Sequence, residues 1–219
     1  MRRGHRGHRA RLVEGAVGRT LAGLALPMVV GLFAVIAFNV ADAYFIARLG
    51  TAPLAAVGFT FPVALVVGSL GIGLGTGTAS ALSRAIGEGD GGRVRRLATD
   101  AIVLALGVAL AICLLGLATL EPLFRLLGAP DALLPRIREY MAIWYLGAPF
   151  LIVPMVGNNA IRATGDARVP SAIMVSAALL NVVLDPLLIF GLAGLPRLGL
   201  RGAAIATVAA RATTLVLSL

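Results

Sequence analysis

Six apolar runs of about 20 residues or more limit what this chain can fold into. They cover roughly residues 21–47, 54–82, 97–120, 140–161, 169–192 and 200–219. An α-helix rises 1.5 Å per residue and bilayer hydrocarbon is about 30 Å thick, so about 20 apolar residues cross it. A soluble fold would have to bury all six. Apolar residues make up 59% of the chain and charged residues 13%, whereas soluble domains carry about 25% charged residues. A chain of 219 residues has no core large enough to hide that much apolar surface, so the surrounding solvent is lipid. Backbone polar groups in lipid must be satisfied within the segment itself. The expectation is therefore an all-α, multi-pass membrane protein with six transmembrane helices. The first run is too long, and too polar at Asn39 and Asp42, for a cleaved signal peptide.

The distribution of charge supports the same class. All 19 basic residues are arginines, and they cluster between the apolar runs instead of forming one patch with interleaved aromatics. Nucleic-acid binding is excluded on that ground. Twelve arginines fall on the side of the N-terminus: Arg2, Arg3, Arg6, Arg9, Arg11, Arg19, Arg84, Arg93, Arg95, Arg96, Arg162 and Arg168. Six fall on the opposite side: Arg48, Arg125, Arg136, Arg138, Arg197 and Arg201. The excess places the N-terminus in the cytoplasm. Residues 1–20 then form a basic arm against anionic lipid. His5 and His8 read as part of that arm rather than as a metal or pH-sensing pair. Cys113 is the sole cysteine and lies in an apolar run, so no internal disulfide is expected. The sequence stops at Leu219 while still apolar, which suggests a cut within the sixth helix. Residues 21–219 then make one lobe of something larger.

Polar side chains inside the runs carry the functional signal. A carboxylate at the bilayer centre costs about 2.5–3.5 kcal/mol on insertion scales. Asp42 and Asp185 nevertheless lie within runs, near their outer ends, and Thr207 lies about seven residues into the sixth. All three fall roughly 7–11 Å below the outer surface. Asn39 and Asp42 are spaced i, i+3, and Asn181 and Asp185 i, i+4, so each pair shares a helix face. Two carboxylates, two amides and a hydroxyl offer hard oxygen donors suited to Na⁺, or a carboxylate pair able to hold a proton. Pro27 and Pro186 leave the carbonyls of Gly23 and Val182 without their usual donors, so both helices can bend. The bland alternative is that Asp42 and Asp185 only join neighbouring helices. Arg211, one turn after Thr207, can either pair with a carboxylate or line the site.

Other motifs have structural readings. The "GSLGIGLGTGTAS" stretch puts Gly71 and Gly75, and Gly73 and Gly77, at the spacing of close helix approach. The "GEGDGGRVRR" loop lacks GxGxxG spacing and a preceding strand, so it reads as a turn. Asn158 and Asn159 read first as capping or bridging groups and second as substrate contacts. No HExxH, GxSxG or Cys/His set occurs in any run, so no enzyme is expected and no cofactor beyond a coupling ion, H⁺ or Na⁺.

The segments "LALPMVVGLFAVIAFNVADAYFIARLGTAPLAAVGF", "NNAIRATGDARVPS", "LLNVVLDPLLIFGL" and "LGLRGAAIAT" resemble, in this order, those of multidrug and toxic compound extrusion (MATE) transporters. The resemblance runs from about Leu21 to Leu219, and "RATGD" together with "LNxxLDPLLIFG" is its specific part. It implies twelve helices in two six-helix lobes, this chain matching the N-terminal lobe and the C-terminal lobe lying outside it. It further implies export of cationic or amphipathic drugs and dyes by alternating access, coupled to H⁺ or Na⁺, across the bacterial plasma membrane. The cation or proton site of such proteins maps onto Asp42, Asn181, Asp185 and Thr207, and their helix bend onto Pro27. Arg211 departs from the pattern. A related fold that flips lipid-linked sugars is the alternative, supported only by Arg211 as an intramembrane cation.

Overall fold

A computed structural model describes the backbone of residues 17–218 and the side chains of residues 25–218. His5, His8 and most of the basic arm lie outside the described residues, as does Leu219. The described chain is helical throughout: α1 (Val17–Ala47), α2 (Thr51–Gly87), α3 (Gly91–Ala118), α4 (Leu120–Leu126), α5 (Leu134–Leu146), α6 (Ala148–Ala163), α7 (Arg168–Phe190) and α8 (Leu200–Ser218), with a 3₁₀ turn at Leu192–Gly194. Five of these helices are each long and apolar enough to cross a membrane, and α5 with α6 makes a sixth, broken crossing. Large apolar side chains stay exposed along the crossings, among them Phe33, Phe61 and Leu114, each about two-thirds exposed. In water such faces would drive aggregation, and in lipid they need no cover.

The fourth crossing differs from its expected form. The apolar run covers 140–161, whereas the crossing starts at Leu134 and turns by 44° between α5 and α6. The cause is local. Pro149 has no N–H for the carbonyl of Tyr145 and its ring crowds that carbonyl. Gly147 at the break leaves room for Val208 of α8, whose side chain occupies the place a Cβ there would take. Apolar content alone carries no trace of such a break.

Close approaches between helices set the remaining geometry. α7 lies between α1 and α8, and α6 contacts α2, α3 and α8. A Cβ at Gly71 would come within 2.8 Å of Met155 Sδ, and one at Gly75 would run into Asn159. Those two glycines therefore do let α2 meet α6 closely. Gly73 and Gly77 instead border a groove of about 360 Å³ between α2 and α3, with Thr78 and Asp100 among its walls. The loop at residues 88–92 is a turn, as its sequence suggests: Asp90 Oδ1 accepts the Arg93 N–H at 2.9 Å and caps α3.

Two turns fix the ends of α7. Gly165 takes φ +91°, a region open to glycine. Asp166 Oδ1 then accepts the backbone N–H groups of Arg168 (2.8 Å) and Val169 (3.2 Å), satisfying donors that a helix start leaves free. At the other end Gly191 (φ +73°) ends the helix. The chain folds back so that Leu198 N–H reaches Leu188 O at 3.0 Å and Gly199 N–H reaches Ile189 O at 3.1 Å. These bonds lock the start of α8 against the end of α7.

Candidate cation site

That lock sets depth. Asp185 lies five residues before the end of α7 at Phe190, Asp42 five before the end of α1 at Ala47, and Thr207 seven after the start of α8 at Leu200. All three therefore sit roughly 7–11 Å in from the same end of the bundle. Asp185 and Asn181 have no exposed surface at all, Thr207 is 3% exposed, and Asp42 is partly buried. Gly202 lets α8 come this near. A Cβ there would stand 2.5 Å from Leu188 O and 2.6 Å from the Leu188 carbonyl carbon. Gly31 of α1 packs on Ser171 and Met174 nearer the other end of α7, at ordinary van der Waals distance.

Asp42 and Asp185 lie within electrostatic reach of each other, with Arg211 within reach of Asp42. Asn181 Nδ2 donates to Asp185 Oδ1 at 3.2 Å, joining the two across one turn of α7. Four oxygens of the cluster are buried without any partner: Asp42 Oδ1, Asn181 Oδ1, Asp185 Oδ2 and Thr207 Oγ1. Buried polar atoms in proteins are nearly always satisfied. Four orphans contributed by three neighbouring helices therefore mark these residues as a candidate site. Of these atoms only the threonine hydroxyl has a hydrogen to give, and the other three can only accept, so together they offer a set of oxygen acceptors. Among the described residues no group of three or more His, Cys, Asp or Glu side chains is placed to hold a metal ion. The mixed oxygen set suits a monovalent cation or a proton rather than a transition metal.

The structure adds one residue to the cluster and sets one apart. Tyr140 of α5 is buried within electrostatic reach of Asp42, Asp185 and Arg211. Its position six residues into α5 gives it the depth of the carboxylates, and a phenol at that depth was the signal available in the sequence. Asn39 was expected to join Asp42 as a ligand. It is exposed, and its Nδ2 donates to Val35 O of its own helix at 2.8 Å. Spacing of i, i+3 leaves a 60° offset, enough to turn Asn39 off the packed face. Pro27 and Pro186 both stand inside continuous helices, Pro186 directly after the buried Asp185. Asn159 donates to Met155 O at 2.8 Å, a bond within its own helix, while Asn158 is buried with its Oδ1 unpartnered.

The chain matches the MatE family model over residues 27–187. It is 45% identical over 196 residues to the "FAD transporter" of Shewanella oneidensis, covering 90% of this chain and 43% of that protein. It is 27% identical over 179 residues to the "Multidrug export protein MepA" of Staphylococcus aureus, covering 81% and 40%. The crystal structure of "MATE in the bent conformation" superposes with a TM-score of 0.87 at 33% identity, over 98% of this chain and 46% of that one. The chain thus spans less than half the length of the relatives it matches. A helical bundle of six crossings with this likeness over most of its length belongs to the MATE family of membrane transporters.

Proposed function

We propose that this chain is the N-terminal lobe of a cation-coupled efflux antiporter that exports cationic or amphipathic aromatic compounds by alternating access. A second six-helix lobe completes the transporter in the bacterial inner membrane, with the N-terminus in the cytoplasm and the Asp42 end facing outward. The arginine excess supports that orientation. The observation that carries the reading is the set of four unpartnered oxygens on Asp42, Asn181, Asp185 and Thr207.

The mechanism follows from charge. With the site unloaded, Asp42 and Asp185 face each other across the α1–α7 contact and their charges repel. A proton or Na⁺ neutralises one of them, and Asn181 and Thr207 supply further oxygens. α1, α7 and α8 are then drawn together. Pro186 weakens the α7 hydrogen-bond ladder beside the site, so closure can be taken up as a bend in place of a rigid shift. Pro27 gives α1 the same freedom. A bent and an unbent lobe present different inner surfaces to a substrate, and that difference couples the ion to export.

The test is dye efflux by the full-length protein in vesicles under imposed proton or sodium gradients, with Asp42→Asn and Asp185→Asn. Each variant is expected to lose gradient-driven efflux while still inserting and folding. Wild-type efflux by both at every pH and Na⁺ level would refute the reading.

A second reading concerns the cargo. The 45% identity to a protein named for FAD transport supports a flavin nucleotide as an alternative cargo. Efflux of FAD measured beside efflux of a cationic dye in the same vesicles separates the two. A lipid-linked-sugar flippase has less support, because Arg211, the cation it would use for a pyrophosphate, faces Asp42.

A further inference from the structure

Cation coupling leaves the half-buried Arg211 without a task. Arg211 stands one helical turn after Thr207, on the same face of α8. Its Nε is buried without a hydrogen-bond partner. Among the described residues the ion pairs join Arg93, Arg125, Arg138 and Arg201 to acids, and all four of these arginine side chains are exposed. Arg211 is absent from that set, yet it lies within electrostatic reach of Asp42 and Tyr140. A guanidinium keeps its charge in proteins, and a buried charge needs a counter-charge. Its counter-charge here is the carboxylate of Asp42.

We propose that Arg211 decides which cation the cluster accepts: its tethered guanidinium takes the place of a sodium ion beside Asp42. The inference rests on the cation-coupled reading and specifies it. The polar groups of the site come from four helices: Asp42 from α1, Tyr140 from α5, Asn181 and Asp185 from α7, and Thr207 from α8 itself; α6, which also packs against α8, adds the buried Asn158. Two carboxylates alone would make a doubly negative oxygen cage, favourable to Na⁺. With Arg211 beside Asp42 half of that charge is already balanced. An entering Na⁺ meets a fixed positive charge in a medium of low dielectric, where repulsion is strong. It must also exchange its waters for lone pairs that the guanidinium fork can already engage. A proton adds to one oxygen and needs no shell of ligands, so the guanidinium does not exclude it.

The experiment is equilibrium binding of ²²Na⁺ to the purified full-length protein, together with dye transport driven by a sodium gradient at equal pH on both sides. The wild type is expected to bind no sodium saturably. Arg211→Gln should gain saturable binding at least about tenfold tighter than any wild-type signal, and Asp42→Asn added to it should remove that binding. Arg211→Lys, which keeps the charge, should go on excluding sodium. Saturable sodium binding by the wild type that Asp42→Asn abolishes would overturn the proposal, whatever the variants do. So would an Arg211→Gln protein that transports under a proton gradient and still binds no sodium. Efflux insensitive to Asp42→Asn and Asp185→Asn in the wild type is a different result and refutes the coupling site itself.

Discussion

Gly202→Ala tests whether the site depends on how closely α8 approaches α7. The added methyl would lie 2.5 Å from Leu188 O, 2.6 Å from the Leu188 carbonyl carbon and 2.9 Å from Ile189 N. All three are backbone atoms, so no side chain can swing aside. Restoring a carbon–carbon separation of about 3.5 Å requires α8 to move outward by about 1 Å. Overpacking of this kind costs about 1–3 kcal/mol. The shift falls where Leu198 and Gly199 bond back to Leu188 and Ile189, within one or two turns of both Asp185 and Thr207. The expected outcome is twofold: a loss of about 1–3 kcal/mol in detergent-induced unfolding of the full-length protein, and efflux reduced more than expression. Gly107→Ala is the control, since a Cβ there meets nothing within 4 Å, and it should change stability by less than about 0.5 kcal/mol. If Gly202→Ala unfolds and transports as Gly107→Ala does, the close α7–α8 approach does not hold the site.

Two further substitutions address the frame of α7. Asp166→Ala removes the acceptor of the Arg168 and Val169 N–H groups and should cost about 0.5–2 kcal/mol, measured by the same unfolding assay, whereas Asp166→Asn keeps an acceptor and should cost much less. Pro186→Ala restores a donor for Val182 O, so the protein should unfold later while its turnover falls in dye-efflux assays; faster or unchanged turnover would show that α7 does not need to yield at that point.

Much of the lobe was legible because lipid imposes a coarse rule. The predicted run 169–192 became Arg168–Phe190 and 200–219 became Leu200–Ser218, since length and hydropathy nearly suffice to mark a crossing. The break at Gly147 was not legible, because it depends on Val208 of another helix filling the space. The same division runs through the site. Asp42, Asp185 and Thr207 could be selected by depth and Asn181 by its spacing from Asp185, since a polar group that far into hydrocarbon needs a partner. Asn39 satisfied the spacing and failed on orientation, having a backbone carbonyl of its own helix within reach. Tyr140 escaped notice because a phenol near a membrane interface is ordinary, and only the packing of α5 against α8 shows that it faces inward.

The cluster joins stability and function through one physical quantity. Asp185 and Asn181 are fully buried and share a single hydrogen bond, while Asp185 Oδ2 and Asn181 Oδ1 have none. A membrane protein can keep such unsatisfied groups only where the packing of its neighbours outweighs their cost. Beside Asp185 that packing is supplied by Gly202 on α8, which brings backbone directly against Leu188 and Ile189 of α7. The close contacts that hold the unfilled oxygens in place are therefore the contacts through which a bound cation would move the helices. Loosening them at Gly202 and neutralising Asp185 should then impair efflux by one route, and the double variant should lose little more than Asp185→Asn alone. Additive losses in efflux would mean that packing and ion binding act independently.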